Sequence, residues 1–116
     1  MSSACLFCRI ANGEIPAKII YADDHVLAFH DIHPQAPVHA LVIPRQHIAS
    51  LDDLDQTSAP LAGILLERAA HVARLLGVDQ SGYRSIINTK EHGGQEIFHL
   101  HLHILGGQPI GPMTAR

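Results

Sequence analysis

The sequence predicts an α+β domain, a five-stranded and mainly antiparallel sheet with one long and one short helix. Three observations carry that prediction. Five short runs rich in aliphatic residues are joined by short turns, which suits antiparallel pairing. Residues 58–77 hold apolar side chains at helical spacing. Residues 99–105, His99-Leu100-His101-Leu102-His103-Ile104-Leu105, alternate histidine with apolar residues at the period of two that a strand imposes. A chain of 116 residues fits one domain, 1–116, with a core that needs no disulfide.

Taken in order, residues 5–12 read as a short helix ended by Gly13. Pro16 holds the residue before it extended, and residues 17–21 follow as the first strand, with β-branched Ile19 and Ile20. Asp23-Asp24 marks a turn, residues 26–29 a second strand, and the prolines within 31–37 a loop. Residues 39–43 are the third strand, closed by Pro44, and 51–54 a single turn. Ser58 is the expected N-cap of the long helix, with Pro60 near its first turn. Leu61, Ile64, Leu65, Ala69, Val72 and Leu76 share one side of that helix, and Gly77 ends it. Residues 83–88 are the fourth strand, 91–95 a flexible loop, and 99–105 the fifth strand, ended by Gly106-Gly107. The helices are expected to cover the apolar face of the sheet.

Composition narrows the function. The net charge of −3 and the lack of a basic block argue against a nucleic-acid partner. No run approaches the roughly 20 apolar residues that span a bilayer, so no membrane partner is expected. The N-terminus lacks the charged and apolar regions of a signal peptide, which makes a cytoplasmic location the expectation. In that reducing compartment Cys5-Leu6-Phe7-Cys8 is a metal or redox pair rather than a structural disulfide.

The histidine ladder is the strongest chemical signal. In an extended chain His99, His101 and His103 share one face, and Leu100, Leu102 and Ile104 occupy the other. Three stacked imidazoles cannot all be protonated cheaply, so the pattern points to metal ligation or to nucleophilic and acid–base chemistry near neutral pH. Just upstream, Gly93-Gly94-Gln95 can turn backbone N–H groups toward phosphate oxygens, and Asn88 offers a side-chain amide to the same anion.

These motifs resemble the histidine triad (HIT) family of nucleotide hydrolases and transferases, whose signature His-φ-His-φ-His-φ-φ residues 99–105 match in full. The resemblance runs on through residues 14–21 and 28–48 and the closing Leu105-Gly106-Gly107, nearly the whole chain. It is similar to the branch that cleaves purine nucleoside 5′-phosphoramidates. It is less similar to the branch that cleaves dinucleoside polyphosphates, which stays open as an alternative together with a non-catalytic zinc- or nucleotide-binding module. The resemblance implies a HIT-like fold and a nucleotidyl-histidine intermediate on His101. It places His103 at the α-phosphate and makes His99 the first triad histidine. It implies that Asn88 and the backbone at Gly94, Gln95 and Glu96 cradle the anion. Asp31 is implied at the ribose hydroxyls beside the backbone of His30, and Phe7, Ile10, Ile15, Phe29 and Ile32 around the purine.

Two departures stand out. Glu96 occupies a position where that branch often has a small hydroxyl residue, and a carboxylate facing a phosphate is unfavourable, leaving only its backbone N–H to serve. The tail from Gln108 lacks the tryptophan of eukaryotic members. A subset of the family with the N-terminal Cys-x-x-Cys binds zinc, and that resemblance implies Cys5, Cys8, His47 and His99 as ligands. Such a zinc is structural, and no catalytic metal is expected. The resemblance also implies a two-fold homodimer, for which Ala62, Ala69 and Ala73 read as small outer positions of the long helix. His39 is expected in buried polar contacts, and His25, His33, His71 and His92 at the surface.

Overall fold

Val26-Leu27-Ala28-Phe29 and Ala40-Leu41-Val42-Ile43 are unbroken apolar runs, and a strand that is apolar on both sides must be covered on both faces. The structure, a computed structural model describing residues 4–114, shows this arrangement. The parts of the leader and tail readings that fall on residues 1–3 and 115–116 lie outside the described residues. The first helix, α1, spans Leu6–Ala11. Three strands follow, β1 (Ile19–Ala22), β2 (Val26–His30) and β3 (Val38–Pro44), then a 3-10 turn at Leu51–Asp53. The long helix α2 is Ala59–Leu75, followed by β4 (Tyr83–Ile86), a one-turn helix α3 (Lys90–Gly93) and β5 (Leu102–Gly106). The sheet order is β1-β2-β3-β5-β4, and every pair is antiparallel.

The two helices lie on opposite faces, not on one as the sequence suggested. Val26, Ala28, Ala40, Val42, Leu102 and Ile104 pack with Leu65, Ala69, Val72 and Ala73 of α2. Leu27, Phe29, Leu41 and Ile43, the alternate positions, pack with Phe7 of α1. This corrects the reading of α2 as well, because Ala69 and Ala73 are buried in the chain's own core. The large apolar residues exposed on α2 are Leu66 and Leu75.

Three local expectations also change. Ser58 makes no cap bond to α2; its hydroxyl turns back to Asp55, whose carboxylate accepts from the Thr57 and Ser58 amides. Residues 90–93 form a helical turn rather than a loop, closed by Gly94 in the left-handed region. Regular pairing of β5 begins at Leu102, not at His99. The cause is Pro44 at the end of β3. It has no N–H to continue the ladder, and its carbonyl accepts instead from the His99 ring at 2.8 Å. The Leu100 amide finds the Ile48 carbonyl at 2.6 Å. The alternation survives, with Leu100 in the α2-side core and His99 and His101 facing Phe7. After β5 the chain turns at Gly107 with φ +89°, where a Cβ would come within 2.9 Å of Pro37.

Candidate active site and metal centre

Hydrogen bonds fix the ring of each triad histidine. His101 Nδ1 lies 2.7 Å from the His99 carbonyl. A carbonyl only accepts, so Nδ1 carries the proton and Nε2 keeps its lone pair. His103 is set from the other side. The Gln35 amide donates to His39 Nδ1 at 3.0 Å, so the His39 proton is on Nε2. That Nε2–H donates to His103 Nδ1 at 2.9 Å, with Asp31 Oδ2 3.4 Å away. His103 therefore accepts at Nδ1 and presents an N–H at Nε2. The His101 and His103 rings meet edge to face at 5.0 Å. One imidazole thus offers a lone pair and its neighbour a hydrogen-bond donor.

Asp31, His39 and His103 also bring three potential metal ligands together. The Gln35 bond argues against a metal there, since it leaves His39 with a proton on the nitrogen that would have to ligate. The trio reads instead as a hydrogen-bond array that aims His103.

Burial holds the pKa of His103 down to about 4, from an ordinary 6.5, and the neighbouring His101 and His39 push in the same direction. Burial likewise lowers His39 and His99. Below pH 6.5 an unfolded chain gains a proton on His103 that the fold resists until about pH 4. Its contribution to stability is complete above 6.5 and is lost as the pH falls across that window. Chemical denaturation between pH 7 and 4 should show a shallower decline for His103→Gln than for the wild type. Equal slopes would refute the buried, neutral His103.

A cavity of about 460 Å³ opens beside His103. Phe7, Ile10, Ile15, Phe29 and Ile32, the expected purine contacts, all line it, as do His30, Asp31 and Glu96. Phe7 and Phe29 pack edge to face at 5.5 Å and are also core. Asn88, Gly94 and Gln95 lie outside the lining. The Gln95 side chain is buried and braces the loop, accepting from the Lys90 amide at 2.8 Å and donating to the carbonyls of Ala49 (2.7 Å) and Ile97 (3.1 Å). Described tail residues from Gln108 onward are not in the lining either; Arg84 holds the tail through the carbonyls of Gly111 and Pro112.

His33, Gln35, His39, Leu41 and Ile97, not among the residues expected at the site, share the lining. For His39 a signal existed. It stands two residues before Leu41 and four before Ile43, so it shares their face of β3.

The second cluster sits at the other side of Phe7. Cys5 Sγ is 3.3 Å from His99 Nδ1, and Cys8 Sγ is 3.3 Å from His47 Nδ1 and 3.5 Å from His99 Nδ1. The two Nδ1 atoms are 3.3 Å apart, and Cys5 and Cys8 are not joined in a disulfide. Zinc bond lengths in a tetrahedron place N···N at about 3.3 Å and N···S at about 3.5 Å. The donor set fits. His99 Nε2–H is already given to Pro44, which leaves Nδ1 to ligate. Local structure assembles the set, since Cys5 is the N-cap of α1, its sulfur accepting from the Cys8 amide at 3.3 Å.

An antiparallel five-stranded sheet with three alternating histidines beside a cavity of small-ligand size defines a histidine triad protein. The HIT domain model matches residues 12–110, and the chain belongs to that family. It is 45% identical over 115 residues to the purine nucleoside phosphoramidase of Escherichia coli K12, covering 99% of this chain and 97% of that protein. It is similar to a histidine triad protein from Clostridium difficile, with a TM-score of 0.94, 42% identity, and 98% of this chain and 99% of that one covered. It is also similar to a HIT family hydrolase from Legionella pneumophila, with a TM-score of 0.88, 47% identity, and coverage of 92% and 99%.

Proposed function

We propose that this protein hydrolyses purine nucleoside 5′-phosphoramidates, or related nucleoside monophosphate conjugates, through a covalent intermediate on His101. The observation that carries the reading is the His101 ring, held with its proton on Nδ1 and its lone pair on Nε2, beside a donor at His103. The named activity of the E. coli relative supports it. His101 Nε2 attacks the α-phosphorus and forms a P–N bond to the ring. His103 Nε2–H hydrogen-bonds an equatorial oxygen as charge develops there. The amine leaves with the electron pair of the broken bond and takes a proton from solvent, because a neutral His103 has none to give without becoming an imidazolate. Water then attacks the nucleotidyl-histidine, releasing the nucleoside monophosphate and restoring His101. In this reading Asp31 accepts from the ribose and the apolar cavity wall holds the purine. The test is turnover of a fluorogenic adenosine phosphoramidate together with a mass adduct of one nucleotidyl group on His101 in quenched protein. Absence of both rejects the proposal.

Zinc bound by Cys5, Cys8, His47 and His99 belongs to the same proposal. All four positions would be filled by protein, so the metal would fix structure and take no part in the chemistry. Among the described residues no helix is long and apolar enough to cross a membrane. The pair of cysteines at metal-ligand spacing favours a reducing, cytoplasmic setting.

A two-fold dimer is the proposed assembly. β4 is an edge of the sheet, and Leu66 and Leu75 leave apolar surface on α2. Pairing of an edge strand with its copy would close that edge. Sedimentation at micromolar concentration should give twice the chain mass; a single-chain mass throughout rules the dimer out.

A further inference from the structure

The proposed phosphate site contains a carboxylate that the proposed chemistry does not use. Glu96 lines the cavity with His103, and its side chain is exposed. No lysine or arginine is among the described residues of that lining. The other acid there, Asp31, is engaged by the His33 amide at 2.8 Å and stands 3.4 Å from His39. Glu96 has no hydrogen-bond or ion-pair partner among the described residues. Its neighbour in the chain is nonetheless held in place. Gln95 before it is buried and held by three hydrogen bonds, one of them to the carbonyl of Ile97 after it. The loop therefore holds a negative charge, without a partner among the described residues, in a cavity lined by the His103 proposed to meet an already anionic phosphate.

Such a charge repels the phosphate, and a positive charge on the substrate offsets it. The purine and ribose of a nucleoside phosphoramidate carry no cation, and the leaving group is the part of the substrate that can. Resting on the phosphoramidase reading, we infer that Glu96 selects phosphoramidates whose leaving amine bears a second, cationic group. A charge pair about 6 Å apart at an effective dielectric between 40 and 80 is worth about a three- to ten-fold preference. Salt weakens it, because the Debye length at 0.15 M is only about 8 Å.

The experiment uses three adenosine phosphoramidates whose leaving amines are 1,4-diaminobutane, 4-aminobutanol and 4-aminobutyrate, matched in length and ending in ammonium, hydroxyl and carboxylate. The readout is the ratio of kcat/KM values within each enzyme, which cancels any general effect of substitution. Wild type should prefer the ammonium substrate to the neutral one by at least three-fold at low salt, less at 0.5 M. Glu96→Gln should bring that ratio to near one, and Glu96→Lys should favour the carboxylate. A wild-type ratio near one, or a preference that persists in Glu96→Gln, overturns the inference while the phosphoramidase reading stands. Failure to cleave even the neutral substrate overturns that reading and the inference with it.

Discussion

His101→Ala should lower kcat/KM for a nucleoside phosphoramidate by more than a hundredfold and leave nucleoside monophosphate binding within about three-fold of wild type. The separation follows from geometry. The groups proposed to hold purine and ribose line the cavity, and His101 is outside that lining. Its Nε2 lone pair has a use only when a bond to phosphorus forms. Losing a covalent route forfeits transition-state stabilisation that a hundredfold change, about 2.7 kcal/mol, only begins to measure. Steady-state kinetics and calorimetric titration with adenosine monophosphate give the two readouts. A variant retaining more than about a hundredth of wild-type activity would remove His101 from the nucleophile's role. Recovery of His101→Gly by added imidazole would locate the missing group at that nitrogen.

The placement of His101 was legible in the sequence because alternation survives where regular strand pairing does not. The period of two placed Leu100, Leu102 and Ile104 in the α2-side core and the histidines opposite. It could not show where pairing starts, because that depends on Pro44, a residue 55 positions from His99 that meets it only in the fold. The covering of both sheet faces was visible in the unbroken apolar runs of β2 and β3, yet reading them as ordinary strands put both helices on one side. Ala69 and Ala73 were misread for a related reason. Small residues suit a close helix–sheet contact as well as a helix–helix one, and sequence does not tell which surface approaches. The His39–His103 contact joins residues 64 positions apart, and its tautomer depends on the Gln35 amide, a backbone group that leaves no trace in side-chain pattern.

His99 joins the two clusters. Its ring faces the sulfurs of Cys5 and Cys8, and its carbonyl accepts from the His101 ring. Phe7, one turn of chain from both cysteines, packs edge to face on His99 at 6.0 Å and on His101 at 5.1 Å, and it walls the cavity. A six-residue helix with one buried residue has little to hold it by itself. Besides Phe7, α1 is tied by the Arg45 guanidinium, which donates to the Ala11 carbonyl at 2.8 Å, and by the cysteine–histidine cluster. A metal held by this cluster would therefore fix one wall of the proposed nucleotide site.

Cys5→Ala should consequently cost stability and nucleotide affinity more than it costs the chemical step. Removing one of four ligands from a structural zinc site forfeits folding free energy. A loss of about 2–4 kcal/mol corresponds to a fall in Tm of about 10 °C or more for a domain of this size. Release of α1 withdraws Phe7 from the cavity, so KM should rise by about tenfold while kcat, assigned in this proposal to His101 as oriented by the His99 carbonyl, changes less than three-fold. Wild type purified without chelator should hold one zinc per chain, and a strong chelator should reproduce the thermal and KM effects in wild type while leaving Cys5→Ala unmoved. Metal analysis far below one equivalent after refolding with zinc would reject the site. A kcat that collapses with KM unchanged would instead mean that the cluster acts on the nucleophile through His99, and not on the purine wall through Phe7.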